Sequence, residues 1–348
     1  MSQLDQYDYA LPNELIAQLP LPCRSDARLL VVQRADQSLR HAHVRDLPEI
    51  LRAGDLLVLN DTRVLPARLV GHRARTGGRW QGLFLSTDAS GIWQLMCKTR
   101  GKLVTGETIV LHDSTGREAA RLRMLVPLGN GTWAARPETS EGAWELLERV
   151  GRIPLPPYIR RGEARELDRE AYQTVYASQS GSVAAPTAGL HFTRPLLQHL
   201  EAAGIRHRYL TLHVGRGTFR PINSLQLGQH RMDREWCCVT ADLAGQLQQT
   251  RSSGGRVVAV GSTVVRALES AAAGGPLQPW SGETDLFIRP PYTFRAVDAL
   301  MTNFHLPRTT LLVLVRTFGT DELIRRAYDE AIRERYRFYS YGDAMLVL

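Results

Sequence analysis

Five polar loops rich in glycine and proline hold the residues best suited to chemistry. The first is Gly181-Ser182-Val183-Ala184-Ala185-Pro186-Thr187-Ala188-Gly189-Leu190-His191-Phe192. Its small residues let a backbone come close to a ligand, and a tight structural turn is the alternative. The second, Thr211-Leu212-His213-Val214-Gly215-Arg216-Gly217-Thr218-Phe219, reads as a strand that ends in a glycine loop. Ligands of α/β folds sit at the C-terminal ends of strands, which places His213 near a site. A lone strand histidine can equally belong to a core. In the third, Val260-Gly261-Ser262-Thr263 precedes a helix, whose exposed N–H groups can hold an anion such as a carboxylate. Ser262 or Thr263 as an ordinary N-cap is the other reading. The fourth is Thr302-Asn303-Phe304-His305-Leu306-Pro307 and the fifth Tyr339-Ser340-Tyr341-Gly342-Asp343. Five such loops in one chain are improbable as mere connectors.

Other chemistries find no carrier. There is no G-x-x-x-x-G-K-[ST], no H-E-x-x-H and no G-x-S-x-G. Gly215 and Gly217 supply two glycines of G-x-G-x-x-G, but position 220 is arginine. The ten histidines show no metal spacing, so no metal is expected. Cys23, Cys97, Cys237 and Cys238 make neither a C-x-x-C pair nor a disulfide framework, which fits a reducing cytoplasm. Vicinal Cys237-Cys238 reads as a pair of strand residues. Residues 1–10 lack the basic region of a signal peptide. The longest strongly apolar run, Leu311 to Val315, is far short of the ~20 residues that cross a bilayer.

The elements that must position these loops fall into two textures. Arg28–Arg34 and Ser38–Val44 read as strands, Asp55–Asn60 as a buried strand, and Asn13–Gln18 as a short helix opened by Pro12. From Arg63 to about Pro137, short β-like runs are split by turns such as Thr76-Gly77-Gly78 and Gly129-Asn130-Gly131. That pattern argues for a small antiparallel barrel or sandwich. A helix over Glu141–Val150, with Ser140 as N-cap, closes this block. Strand and helix then alternate. Helices are expected at Pro195–Ala203, Ala241–Thr250, Val264–Ala272 and Asp321–Arg335, and strands at Arg206–Val214, Val257–Val260 and Asp285–Ile288. The architecture is an α/β domain, residues 1–62 and 152–348, interrupted by an all-β insert at 63–151.

The 348 residues, 43% of them hydrophobic, suffice for two domains and exclude a disordered chain; no heptad run supports a coiled coil. Net charge is +8, and 41 of the 43 basic residues are arginine. That preference suits bidentate phosphate contacts, and equally reflects genome composition. The charge is uneven. Residues 1–60 are net −2, whereas 61–105 carry eight basic and two acidic residues, including Arg73, Arg75, Arg79 and Arg100. Such a stripe could track phosphates, or be a solvated strand face.

The chain resembles the S-adenosylmethionine:tRNA ribosyltransferase-isomerases of queuosine biosynthesis. The resemblance runs from Tyr7-Asp8-Tyr9-Ala10-Leu11-Pro12 through Gly54–Arg68, Pro154–Ile159 and Tyr172–Tyr176 to all five loops and Ala344-Met345. It implies an α/β domain (a mixed sheet with helices) carrying an inserted β-barrel. The implied reaction moves the ribosyl part of S-adenosylmethionine onto 7-aminomethyl-7-deazaguanine at the wobble position of a tRNA with a GUN anticodon. The implied products are epoxyqueuosine-tRNA, adenine and methionine. S-adenosylmethionine is then a substrate, and no cofactor is implied. A cytoplasmic monomer without membrane contact is expected.

Such a reaction needs a base, an acid, a grip on the methionine carboxylate and a pocket for an everted base. His213 and His305 are the leading acid–base candidates, with His191 third. Asp343 could orient one of them or hold a ribose hydroxyl. Arg266, one turn into the helix after Gly261, could pair with the carboxylate, beside Ser262 and Thr263. Glu283 and Asp285 could receive the substrate amine or ammonium, and Tyr339 or Tyr341 could stack on a base. Thr187, Gly189, Gly215 and Gly217 complete the expected substrate-binding set, and Arg73, Arg75, Arg79 and Arg100 the tRNA-binding set.

Two departures from the family pattern stand out. Met232-Asp233-Arg234-Glu235 replaces Met-His-Ser-Glu, and Gly77-Gly78-Arg79-Trp80-Gln81 replaces Gly-Gly-Lys-x-Glu. An active enzyme remains the expectation. The rivals are a non-catalytic tRNA-binding protein of the same fold and an ordinary methyltransferase. The latter lacks its strand followed by an acidic, three-glycine loop.

Overall fold

The computed structural model describes residues 3–215, 222 and 226–348. The chain forms two compact units, one of Met1–Arg63, Pro156–Arg161 and Ala171–Leu348, the other of Val64–Leu155 and Gly162–Glu170. Residues 152–155 and 162–170, expected in the α/β domain, thus cluster with the β unit, and Arg63, expected in the insert, with the first unit.

The first unit opens with the hairpin β1 (Arg28–Val32) and β2 (Leu39–His43), then a short helix α1 (Leu47–Ile50), β3 (Leu56–Asn60) and β4 (Thr62–Val64). The β unit contributes β5 (Arg68–Arg73), β6 (Arg79–Thr87), β7 (Trp93–Thr99), β8 (Thr108–His112), β9 (Glu118–Gly129), β10 (Thr132–Pro137) and α2 (Ala143–Val150). After α3 (Asp168–Ala171) and β11 (Gln179–Ser182), the chain alternates through α4 (Arg194–Ala202), β12 (Arg206–Leu212), β13 (Glu235–Val239), α5 (Ala241–Ser252), β14 (Val257–Val260) and α6 (Ser262–Ala271). It ends with β15 (Trp280–Thr284), β16 (Ala299–Asn303), α7 (Thr310–Gly319), α8 (Asp321–Arg333) and β17 (Ala344–Val347).

Nine of these strands make one mixed sheet, in the order β15-β13-β12-β3-β14-β16-β17-β1-β2. Its centre, β12-β3-β14-β16, is parallel. β3, β14, β16 and β17 are buried along their whole length, as strands covered on both faces must be. Alternate residues serve opposite cores. Leu56, Val58, Val257 and Ala259 pack with apolar residues of α5–α8, while Leu57, Leu59, Val258 and Val260 pack with those of α4. Thr193, Thr240 and Thr309 cap α4, α5 and α7, each accepting an N–H bond three residues on at 3.2–3.3 Å.

The second unit is a closed antiparallel barrel, β10-β7-β6-β5-β8-β9. Trp80, Phe84, Trp93, Leu95, Ile109, Leu122 and Met124 fill it. Gly71 is required where β5 meets β8, since a Cβ there would lie 2.1 Å from the Val110 carbonyl oxygen.

Four expectations are corrected. The strand of this region is Trp280–Thr284, not Asp285–Ile288. Asn13–Leu15 is a single 3₁₀ turn rather than a helix reaching Gln18. Gly142, not Ser140, caps α2, and Glu145 accepts its N–H at 3.3 Å. Arg73 is buried in the barrel rather than presented to phosphates. Its guanidinium donates to Glu107 at 2.5 and 2.9 Å and to the carbonyls of Arg100 and Lys102 at 3.2 and 3.1 Å. Arg75, Arg79 and Arg100 remain exposed. Gln81 is exposed too, so the second departure falls on the barrel surface.

Candidate active site

The parallel strands β12, β14 and β16 deliver Val214, Gly261-Ser262-Thr263 and Thr302-Asn303 to one cleft at their C-terminal ends. Its cavity proper is small, about 50 Å³, and opens to solvent; Thr187, Ala188, His305, Tyr158, Tyr339 and Ser340, among others, complete its walls. No carboxylate, lysine or arginine is among its described lining residues.

Local structure fixes each wall. Gly261 turns β14 into α6 at φ +96°, a conformation that favours glycine. Ser262 and Thr263 then open α6 with the positive end of the helix dipole in the cleft. Asn60 ties this end to the neighbouring strand. Its amide donates to the Leu212 carbonyl at 2.9 Å and to Thr263 Oγ1 at 3.3 Å, and accepts from the Leu212 and Thr62 N–H groups. Tyr158 and Tyr339 face each other at 4.7 Å with a 30° tilt, and the Tyr158 hydroxyl meets Ser340 Oγ at 2.8 Å.

His305 is buried in the cleft wall. Tyr9 donates to its carbonyl, and its N–H donates to the Tyr328 hydroxyl. Its Nε2 lies 2.8 Å from Thr302 Oγ1, whose hydroxyl reaches the Asn303 carbonyl at 3.4 Å. If the threonine proton goes to that carbonyl, Nε2 carries the ring proton and Nδ1 is bare; if it goes to Nε2 at 2.8 Å, the tautomer is reversed. Burial pushes this imidazole down to about 3. His191, behind Asn303, is pushed down to about 4 by burial and by the positive charges of Arg337 and Arg24.

Both histidines are therefore neutral at pH 7, and the linkage has a definite sign. Above about pH 6.5 folded and unfolded states are both neutral, and no stability is lost. As pH falls below 6.5 the unfolded imidazoles take up protons that the folded ones refuse until pH 3–4. Stability should fall by about 1.4 kcal/mol per pH unit for each histidine across that window. Urea midpoints at pH 7.5 and pH 5 measure it. His305→Leu should flatten the slope; an unchanged slope would refute the assignment.

Of the expected residues, the structure brings His305, Thr187, Ser262, Thr263 and Tyr339 together in the cleft. Gly217 lies outside the described residues. The others are placed elsewhere. His213 alternates with the buried Leu212 and Val214, so its ring turns away from the cleft. It stacks on Trp236 at 5.1 Å and meets Thr62 Oγ1 at 2.8 Å. His191 reaches the cleft only through Asn303. Asp343 accepts from Arg28 and from the Arg337 N–H, stapling β1 to the C-terminal loop. Arg266 is buried with Glu235 and also donates to the Leu286 and Thr284 carbonyls, so its charge is not offered to a ligand. Glu235 in turn accepts the Gly215 N–H at 2.7 Å. Glu283 and Asp285 are exposed, near Arg234. Gly189 makes room for the Tyr176 hydroxyl, which a Cβ would approach to 2.1 Å. Tyr341 packs edge-on to Tyr172. Sequence reasoning does not single out Asn60, Tyr158 or Asn303 individually, although Asn60 and Asn303, polar ends of apolar strands, are a readable signal. Among the described residues no His, Cys, Asp and Glu side chains converge as a metal site, and no helix is long and apolar enough to cross a membrane.

A mixed α/β unit with a ligand cleft at the C-terminal edge of its parallel strands, in one chain with a closed antiparallel barrel, is the class of protein these observations define. The chain belongs to the family of queuosine biosynthesis proteins, whose sequence model matches residues 4–347. It is 49% identical over 350 residues to the S-adenosylmethionine:tRNA ribosyltransferase-isomerase of Symbiobacterium thermophilum, covering 99% of this chain and all of the relative. The protein of that name from Xylella fastidiosa strain 9a5c is also 49% identical, over all of this chain and 98% of its own. The crystal structure of S-adenosylmethionine tRNA ribosyltransferase from Thermotoga maritima matches with a TM-score of 0.57 at 34% identity, over 99% of this chain and all of that one. The resemblance read from the five loops and the expected fold class are both borne out.

Proposed function

We propose that this chain is a tRNA-modifying ribosyltransferase-isomerase. It transfers and isomerises the ribosyl moiety of S-adenosylmethionine onto 7-aminomethyl-7-deazaguanine at the wobble position of GUN-anticodon tRNA, releasing adenine and methionine. The end-to-end likeness to relatives of that name carries the reading. The cleft supports it, its described lining offering a helix N-terminus, an aromatic pair and a neutral imidazole. S-adenosylmethionine is the second substrate and no cofactor is required. The protein works in the cytoplasm as a monomer.

The sulfonium acidifies the C5′ hydrogens, so a base starts the reaction. The substrate amine attacks only when neutral, which a desolvated site favours. Adenine leaves more readily when protonated, and methionine leaves as the ring carrying the epoxide closes. Within this scheme the α6 N-terminus at Ser262 and Thr263 takes the methionine carboxylate, the task expected of Arg266. His305 serves as an acceptor or a weak base rather than an acid, because burial keeps its imidazole unprotonated.

Labelled S-adenosylmethionine incubated with tRNA carrying the precursor base tests the proposal. Release of adenine and methionine is expected. S-adenosylhomocysteine would indicate a methyltransferase, and binding without turnover a tRNA-binding protein.

The barrel's exposed Arg75, Arg79 and Arg100 are assigned to tRNA phosphates. Changing any one of them to glutamate should lower the slope of log affinity against log salt by about 0.7–0.9. Binding of S-adenosylmethionine should not change. A slope equal to wild type would return these arginines to a solvated strand face.

A further inference from the structure

Asn303 lines the cleft with its side chain buried, and its amide orientation is determined by its neighbours. One amide atom faces the Tyr339 carbonyl at 3.2 Å. A carbonyl only accepts, so that atom is the nitrogen. The same nitrogen lies 3.2 Å from His191 Nε2, which must then be a bare lone pair. His191 meets this requirement because burial and two nearby arginines keep it neutral, pushed down to about 4. Both amide protons are thereby used within the protein. The amide oxygen Oδ1 is left buried with no partner, and so is the Tyr339 hydroxyl on the ring that faces Tyr158. Buried polar groups are nearly always paired, so an orphan acceptor in a cleft wall marks where a ligand donor belongs.

The surroundings narrow the ligand. The described lining residues carry no charge and include small residues and two tyrosine rings, which suits a flat heterocycle. The α6 N-terminus in the same cleft suits a carboxylate. One molecule that carries both a flat amino-bearing base and a carboxylate is S-adenosylmethionine.

We propose that Asn303 Oδ1 is the specificity-determining acceptor for the exocyclic amine of the adenine ring, and that His191 is the positioning residue that holds the amide with this oxygen free. This rests on S-adenosylmethionine being a substrate. A deazaguanine base also carries an exocyclic amine, so the experiment separates the two sources.

The test compares S-adenosylmethionine with its analogue built on purine, which lacks the 6-amino group, by calorimetric affinity. Wild type should prefer the amino form by roughly 10- to 100-fold, the span for one desolvated hydrogen bond. Asn303→Ala should cut that preference to within about threefold. His191→Leu should do the same, whereas His191→Gln, whose amide oxygen can accept from Asn303, should keep most of it. A role for His191 in packing alone would leave the preference ratio untouched. Equal wild-type affinity for the two compounds, or an unchanged preference in Asn303→Ala, overturns the proposal. So does a wild-type preference for tRNA whose wobble base keeps its 2-amino group over tRNA lacking it that Asn303→Ala abolishes, which would place that base on Asn303. A wild-type protein that binds no S-adenosylmethionine would overturn the functional reading itself, a result distinct from binding without preference.

Discussion

Arg266→Ala should cost about 3–5 kcal/mol of folding stability, the largest effect expected among the described arginines of the α/β unit. Arg266 and Glu235 are both almost fully buried, with side chains 4% and 3% exposed. Removing the guanidinium strands the Glu235 carboxylate in a medium that solvates charge poorly. It also leaves the Leu286 carbonyl without the donor that now reaches it at 3.0 Å. Arg266→Met combined with Glu235→Leu should recover much of the loss, because no unpaired charge then remains. Arg234→Ala is the contrast. Its partners are 3.7 and 3.9 Å away and all three side chains are exposed, so its cost should stay below about 1 kcal/mol. Urea denaturation of these variants beside wild type decides. A loss below about 1 kcal/mol for Arg266→Ala would show that the pair is not the anchor described. The Gly215 N–H on Glu235 extends the consequence to the strand end that enters the glycine loop. Arg266 is thus held by groups of the protein itself, Glu235 and the Leu286 and Thr284 carbonyls.

The placement of Arg266 shows what a sequence can and cannot carry. Helix position is readable, because Val257–Val260 is an apolar run broken by Gly261-Ser262-Thr263. The partner is not, because Glu235 lies 31 residues away on another strand. Asp343 repeats the lesson, since its partner Arg28 is 315 residues distant. Two other differences do have a signal in the sequence. Leu69, Gly71 and Arg73 are the buried positions of β5, so a period of two puts Arg73 inside the barrel. His213 likewise sits half-buried between the buried Leu212 and Val214 and stacks on Trp236, although Thr211 before them is buried too. At Arg73 register outweighs residue type. The apolar run Leu311–Val315 reads in the sequence only as too short for a membrane. Helix α7 is buried nearly all round, so it has no polar stripe to mark its 3.6-residue period. The cleft itself is legible as five loops, since glycine, proline and small polar residues gather where strands end against a ligand. Its selection among those residues is not, because it depends on which side chains the sheet turns inward.

His305→Ala should lower turnover by about 10²–10⁴-fold, the usual contribution of a positioned proton-transfer group. Among the histidines considered for acid–base work, His305 is the one in the cleft lining, and Thr302 Oγ1 holds its Nε2 at 2.8 Å. His213→Ala should cost less than about tenfold, since that ring stacks on Trp236 outside the cleft. Thr302→Val offers a finer probe. It keeps the side-chain volume but removes the hydroxyl at Nε2, so the ring loses the contact that fixes its tautomer and orientation. An intermediate loss, roughly tenfold, is expected. The pH profile separates base from acid. Because burial holds His305 at about 3, kcat/KM should show no limb from it between about pH 5 and 8. A limb in that range that disappears in His305→Ala would mean the imidazole does carry a proton at working pH, reversing its role. A loss below about tenfold in His305→Ala, with S-adenosylmethionine still bound, would remove it from proton transfer and leave the α6 N-terminus and the aromatic pair as the elements that bind without reacting.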